Sequence, residues 1–332
     1  MDYDVLIAGG GTSGAYAAFL LAGAGFSVVV AEKKIDAGSP PSGMCLIEEK
    51  SAKKYLSNWI RKSVAIHHVV EIEAFSESFT LNLKENNGIM QFNRDKLDRN
   101  ILASGGNEGA DILIRSELIS YKVEKNEIHA TLKSEGKEKI INAKYLIMAT
   151  GAEPIGNALH RDDCRNVYFQ GILSRGFFNQ DSTDKLKLNI KENSIIVESR
   201  NQRFWEEAVI VKSNKSESSD KRDWAIKPSA VISYGKKLHT CVPQMEKNVI
   251  PIGESAGLFG EHTGFGIDMA LESSVMAAKL IENENKEETG YESFISEINK
   301  TKERVKSSPS REKVLNGEIP EIESIVAYFR KN

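Results

Sequence analysis

The feature that most constrains this chain is a glycine run, Gly9-Gly10-Gly11-Thr12-Ser13-Gly14, set between two apolar segments of different period. Asp4 to Ala8 is a short apolar stretch of the kind that forms a buried parallel strand. From Ser13 to Ala24 the residues are rich in Ala and Leu and predict a helix, with Gly25 placed where a left-handed cap is wanted. Ser27 to Ala31 predicts a second strand, which ends at Glu32 and Lys33. In such a strand, turn, helix, strand unit Gly9 permits the tight turn, and Gly11 lets backbone approach a pyrophosphate. Gly14 lets helix and strand pack closely. The helix start around Thr12 and Ser13 offers unpaired N–H groups and the positive end of the helix dipole. Glu32 is placed to accept from ribose hydroxyls, with Lys33 beside it, so these residues are the candidate dinucleotide contacts.

The 332 residues are 40% hydrophobic and 27% charged, enough for one large domain or two intimate ones. A net charge of -3 leaves no basic excess to neutralise a phosphate backbone, which argues against nucleic acid as a partner. Cys45, Cys164 and Cys241 are odd in number and widely spaced, which suits a reducing compartment, and they show no metal-ligand spacing. The opening Met1-Asp2-Tyr3-Asp4 has no basic region, and Gly23-Ala24-Gly25 splits the most apolar stretch. The expectation is therefore a cytoplasmic protein with no signal peptide and no membrane span, a peripheral membrane contact staying open.

Further along, Gly38 to Cys45 is a Pro- and Gly-containing loop placed to wrap a ligand. Val64 to Phe92 alternates as short antiparallel strands do, and Asn93 to Ala103 predicts a helix with Leu97, Ile101 and Leu102 on one face. Ile112 to Leu132 predicts strands separated by a turn at Glu124-Lys125-Asn126, and Lys144 to Ala149 a buried strand ending in Thr150-Gly151. Residues 157–239 form a mixed stretch of polar strands, with an exposed serine-rich turn at Ser213 to Ser219. Val249 to Ile252 predicts a strand, Gly264 to Ile281 an amphipathic helix, and Tyr291 to the end charged helices. No internal repeat is detectable.

Four segments together carry a resemblance. The glycine fingerprint is the first, and Tyr145-Leu146-Ile147-Met148-Ala149-Thr150-Gly151 resembles the strand and Ala-Thr-Gly turn of two-dinucleotide-binding-domain flavoproteins. Val249-Ile250-Pro251-Ile252-Gly253-Glu254-Ser255-Ala256-Gly257, followed by Gly264-Phe265-Gly266-Ile267, resembles the more specific element that holds the ribityl chain and pyrophosphate of FAD. Glu254 stands where that element usually has Asp. Asn93-Arg94-Asp95-Lys96-Leu97-Asp98-Arg99 resembles a helix whose arginine, here Arg94, approaches the phosphate or ribityl region. In this order the four segments resemble the geranylgeranyl reductase family of FAD-dependent oxidoreductases.

The resemblance implies an α/β fold: a Rossmann-type FAD-binding domain with an inserted antiparallel β-sheet substrate domain and a C-terminal helical segment. Residues 1–63, 93–156 and 240–290 would form the discontinuous FAD domain, 64–92 and 157–239 the substrate domain, and 291–332 the C-terminal helices. It further implies FAD as cofactor, with Gly9, Gly11, Thr12, Ser13, Gly14, Glu32, Lys33, Arg94, Gly151, Gly253, Glu254, Gly264, Gly266 and Ile267 as cofactor-binding residues. The activity implied is hydride transfer from reduced flavin to a carbon-carbon double bond of an apolar, isoprenoid-like substrate. Electrons would come from an external donor (NAD(P)H, ferredoxin or a reductase), because no second G-x-G-x-x-G is present. Cys45 and His262 are the candidate catalytic residues, by their places in the loop beside the flavin and at its reactive edge. Asp223-Trp224-Ala225-Ile226-Lys227-Pro228 keeps only the tryptophan and a displaced proline of the family's aromatic stretch. Two rivals stand beside this reading: a flavin-dependent monooxygenase or halogenase of the same fold, and a non-catalytic FAD-binding redox sensor.

Overall fold

The computed structural model describes residues 2–41, 43–58, 65–151, 166–177, 185–200, 204–213, 230–240, 246, 248–283, 290–306, 309–319 and 321–331. The chain opens with β1 (Tyr3–Ala8), α1 (Thr12–Gly23) and β2 (Val28–Glu32). It continues through β3 (Cys45–Glu48), α2 (Glu49–Tyr55), β4 (Ala65–His67), β5 (Val69–Ala74), β6 (Glu77–Asn82) and β7 (Ile89–Phe92). Next come α3 (Arg94–Asn107), β8 (Asp111–Ile114), β9 (Ser116–Glu124), β10 (Glu127–Ser134) and β11 (Lys137–Met148). A run of strands follows, β12 (Asn166–Phe177), β13 (Lys185–Ile190), β14 (Ser194–Arg200), β15 (Phe204–Ser213) and β16 (Ala230–His239). The chain closes with β17 (Val249–Pro251), α4 (Ile267–Asn283), α5 (Gly290–Lys306), α6 (Arg311–Leu315) and α7 (Ile322–Lys331).

Among the described residues these strands form three sheets. In the first, β8, β2, β1, β11 and β17 lie side by side and parallel, while β9 and β10 add an antiparallel hairpin to the first half of β11. Its central strands are continuous apolar runs because both faces are covered, and Val5, Leu6, Ile7, Leu146 and Ile147 are fully buried. Helix α1 packs against α3 and α4. The second sheet runs β16-β12-β15-β14-β13-β5-β6 and is antiparallel except where β5 pairs parallel with β13. The third is a small antiparallel sheet, β3-β7-β4.

Some expectations shift in the folded chain. Residues 64–92 divide between two sheets: β5 and β6 join the large lobe sheet, whereas β4 and β7 pair in the small sheet with β3. Alternation reports a half-buried strand but not its partner, so this division is invisible in the pattern. Helix α3 runs on to Asn107, and the Asn93 side chain caps it by accepting from Lys96 N at 3.3 Å. The helix expected from Gly264 starts at Ile267, because Gly264 sits at φ 70° in a loop closed by hydrogen bonds between Gly260 and Phe265 and between Gly264 and Gly260.

The last helix is not a charged one. Ile322, Ile325, Val326, Ala327, Tyr328 and Phe329 are buried, and α7 packs on the lobe sheet with the Phe329 and Phe79 rings 4.7 Å apart. The serine-rich turn beyond Ser213 and the Asp223 to Pro228 segment lie outside the described residues. Among the described residues, no helix is long and apolar enough to cross a membrane.

Candidate functional site: a cleft at the carboxyl ends of the parallel strands

The carboxyl ends of β1, β11 and β17 meet the start of α1, the position where open parallel sheets hold ligands. Gly9 has φ 104°, and a Cβ there would overlap the carbonyl of Ala149; one on Gly14 would overlap the carbonyl of Gly9. Only glycine lets β1 turn into α1 this tightly against β11. Gly11 is different: a Cβ on it would meet nothing within 4 Å, so its outer side faces open space. No N-cap side chain satisfies the first N–H groups of α1, and its first turn holds no acidic residue of its own.

Buried serines of α4 tie these ends together. Ser274 Oγ donates to the Ser13 carbonyl at 2.8 Å, and Ser273 Oγ accepts from Gly253 N at 3.0 Å. Ser255 Oγ donates to the Gly151 carbonyl at 3.1 Å, joining the turn after β17 to the turn after β11.

A cleft of about 90 Å³ opens from this point. Gly11, Thr12 and Ser13 line one end, with Ala149 and Gly151 beside them, and Arg94 enters from α3. Glu254, Gly264, Gly266 and Ile267 come from the segment after β17. Met44 and Leu46 from the loop and start of β3, Phe265 beside Gly264, and Lys236 from β16 complete the wall. Residues more than 240 positions apart thus line one cleft.

Electrostatically the cleft holds two cations, each tied to a carboxylate. Arg94 Nε donates to Asp98 Oδ2 at 2.8 Å one turn along α3, and Asp98 also accepts from the Thr12 hydroxyl. Burial works against the charge on Arg94, but Asp98 overcomes it and holds the guanidinium firmly protonated. Lys236 Nζ lies 2.5 Å from Glu254 Oε1, a contact between the lobe sheet and the turn after β17.

Other candidates are placed differently. Glu32 is buried and already used by backbone, accepting from Gly10 N and Lys34 N at 2.7 Å each; it braces the glycine turn, and Lys33 beside it is exposed. The thiol of Cys45 is fully buried in the apolar core, on the opposite side of β3 from Met44 and Leu46, and burial pushes its pKa well above the ordinary thiol value. It therefore supplies no thiolate to the cleft. His262 is not among the residues lining the cleft; its backbone N–H donates to Glu323 Oε1 at 2.8 Å.

Lys236, Leu46 and Phe169 were not singled out from sequence, and Met44 entered only within the loop expected to wrap a ligand. Phe169 lies in β12 with its ring against Gly264 and edge-on to Phe259, centroids 6.2 Å apart, so it roofs the loop before α4. Nothing in the sequence separates these residues from ordinary strand interior. A buried polar chain below the roof was likewise unforeseen. Gln91 Nε2 donates to Glu206 Oε2 at 2.8 Å, and Arg175 Nε donates to Glu206 Oε1 at 2.7 Å. Burial pushes the Glu206 pKa up, while Arg175 opposes the shift.

The uncapped helix start, the open face of Gly11 and the two cations fit an extended dinucleotide diphosphate, and the apolar wall of Met44, Leu46, Phe265 and Ile267 fits a flat ring system. Fold and cleft define a flavoprotein oxidoreductase with FAD as its cofactor. The chain belongs to the pyridine nucleotide-disulphide oxidoreductase family, whose sequence model matches residues 3–198.

A digeranylgeranylglycerophospholipid reductase of Picrophilus torridus is 29% identical over 166 residues, 46% of this chain and 40% of that one. The chain thus matches less than half the length of that relative. Digeranylgeranylglycerophospholipid reductase 2 of Methanosphaera stadtmanae is 21% identical over 100% of this chain and 92% of its own. Among solved structures, a geranylgeranyl bacteriochlorophyll reductase-like protein from Thermoplasma acidophilum shares the fold at TM-score 0.69 and 17% identity, covering 99% of this chain and 90% of that one. The flavin-dependent halogenase CmlS shares it at TM-score 0.70 and 13% identity, over 92% of this chain and 62% of the other.

Proposed function

We propose that the protein reduces carbon-carbon double bonds of an apolar, isoprenoid-like substrate, with electrons from a separate donor. The observation that carries the reading is the apolar wall of the cleft, where Met44, Leu46 and Phe265 continue into the lobe core around Phe169 and Ile267 adds an apolar side chain from the neighbouring core. Digeranylgeranylglycerophospholipid, the lipid in the relatives' names, has chains of this chemistry.

When bound, FAD supplies the hydride. The residues do the rest. Gly11, Thr12 and Ser13 present N–H groups to the diphosphate, and Arg94 adds a charge that Asp98 holds in place. Gly266 and Ile267, at the start of α4, line the cleft, so the positive end of that helix would favour negative charge held there. Phe169, packed against Gly264, would keep the loop before α4 in place beside the cleft. The proton that completes alkene reduction comes from solvent or a group at the cleft mouth, since Cys45 holds its own proton in the core.

Anaerobic single-turnover mixing of the photoreduced protein with geranylgeranyl lipid tests the reading. Oxidation of the flavin coupled to loss of one double bond by mass spectrometry is the expected result. A long-lived oxygen-adduct spectrum on admitting air, with no lipid reduction, would overturn it in favour of a monooxygenase or halogenase. Normal photoreduction with no turnover of any alkene would favour a sensor.

A further inference from the structure

The ion pair between Lys236 and Glu254 has no counterpart in the sequence motifs, yet it lies in the wall of the cofactor cleft. Lys236 sits on β16, directly across from Phe169 of β12, whose ring covers Gly264. Glu254 sits in the turn Gly253–Ala256 that follows β17. The side chains keep only 13% and 22% of their exposure, so the pair is partly withdrawn from water. Arg94 takes its carboxylate from its own helix, whereas Lys236 reaches across from the lobe to the FAD domain.

A half-buried carboxylate in this position is a liability for a flavin. Reduction places negative charge on the flavin ring, and an unbalanced Glu254 beside the cofactor would repel it through a medium that screens less than water. Glu254 is also the residue that the resemblance assigns to the ribityl chain. It is one methylene longer than the usual Asp, so its carboxylate needs holding.

We propose that Lys236 is a positioning residue for the cofactor: it fixes the Glu254 carboxylate against the ribityl side and cancels its charge, so that the lobe sets the poise of the flavin. The proposal rests on FAD lying in this cleft. A wild-type protein that retains no FAD would end that reading, whereas the outcomes below are all read with FAD bound.

The experiment is a spectroelectrochemical titration of flavin-loaded wild-type protein, Lys236→Met, Lys236→Arg, Glu254→Gln and the double variant K236M/E254Q. K236M is expected to lose about tenfold in its preference for reduced over oxidised FAD, a fall of about 30 mV for a two-electron couple. K236R restores the wild-type value. E254Q leaves the cation unopposed and moves the potential the other way, and the double variant returns close to wild type. An unchanged potential in folded K236M would overturn the proposal. So would a downward or absent shift in E254Q, a reading that stands even if K236M does not fold.

Discussion

Glu323, in the first turn of α7, reaches Thr263 in the loop before α4 and holds it twice, accepting from its backbone N–H at 3.0 Å and its hydroxyl at 2.6 Å. The other carboxylate oxygen accepts from His262 N. Gly260 is part of the same contact, since a Cβ there would overlap the Glu323 carboxylate. Loop 260–266 borders the cofactor cleft, so the C-terminal helix braces a segment some sixty positions earlier.

Burial pushes the Glu323 pKa up, while its three donors pull it back. Truncation leaves those donors buried without an acceptor, so Glu323→Ala is expected to lose about 3 kcal/mol in urea unfolding. Glu323→Gln retains an acceptor oxygen and should lose roughly half as much. FAD release, followed by fluorescence, should quicken in the order wild type, Gln, Ala. Equal release rates in all three would show that the brace does not reach the cofactor.

The glycines of the first turn separate folding from binding. A methyl on Gly14 overlaps backbone of Gly9, so Gly14→Ala should destabilise the protein by about 2 kcal/mol or more even without FAD. Gly11→Ala meets nothing in the protein, and its cost to the FAD-free protein should stay within about 0.5 kcal/mol. Its methyl instead intrudes on the diphosphate, weakening FAD by roughly tenfold or more. Melting curves and FAD titrations on the two variants check both halves, and a reversed pattern would mean that the cofactor does not lie against Gly11.

These two glycines also show what was legible in the sequence. The strand, turn, helix and strand from Tyr3 to Glu32 follow from local pattern alone, because Gly9, Gly14 and the apolar runs act within thirty residues. Arg94 and Glu254, singled out through the resemblance, both line the cleft. Lys236 was not foreseeable, since its meaning depends on the pairing of β16 with β12, a register set by the whole lobe sheet. The burial of α7 was missed for a related reason. Its Lys, Arg and Glu residues read as a solvated helix, but its other face matches an apolar lobe surface that only the fold assembles.

Cys45 gives a prediction opposite to the one its position in the loop suggests. The thiol is buried and its pKa is raised chiefly by desolvation, so it behaves as a small apolar side chain. Iodoacetamide should leave Cys45 unmodified in the native protein and label it after denaturation, as peptide mass mapping would show. Cys45→Ala should cost about 1 kcal/mol in stability and leave turnover within about threefold. A loss of turnover near a hundredfold with FAD still bound would restore Cys45 to the chemistry.

The larger cavity beside the cleft, about 340 Å³, shares Leu46, Phe265, Gly266 and Ile267 with it and holds acids whose titration should be visible in stability. Burial pushes Glu48 up to about 9, and the hydrogen bond its protonated carboxyl donates to Glu321 adds to the shift. Burial also pushes Asp268 up to about 7, against a hydrogen bond from Ser51. Each carboxyl is protonated in the folded chain at pH values where the unfolded chain has already lost the proton. Folding therefore favours the acid form, and stability is fully present below the ordinary carboxylate range. It falls as pH rises through about 7 for Asp268 and about 9 for Glu48, by at most about 1.4 kcal/mol per pH unit for each proton. Arg304, paired to Glu272 at 2.7 Å, opposes both shifts and so narrows the pH range over which stability is lost. Urea unfolding between pH 5 and 9 should show this decline, and Asp268→Asn should make it shallower below about pH 7, where only the Glu48 share is left. A variant whose stability tracks wild type across the whole range would show that Asp268 is ionised throughout.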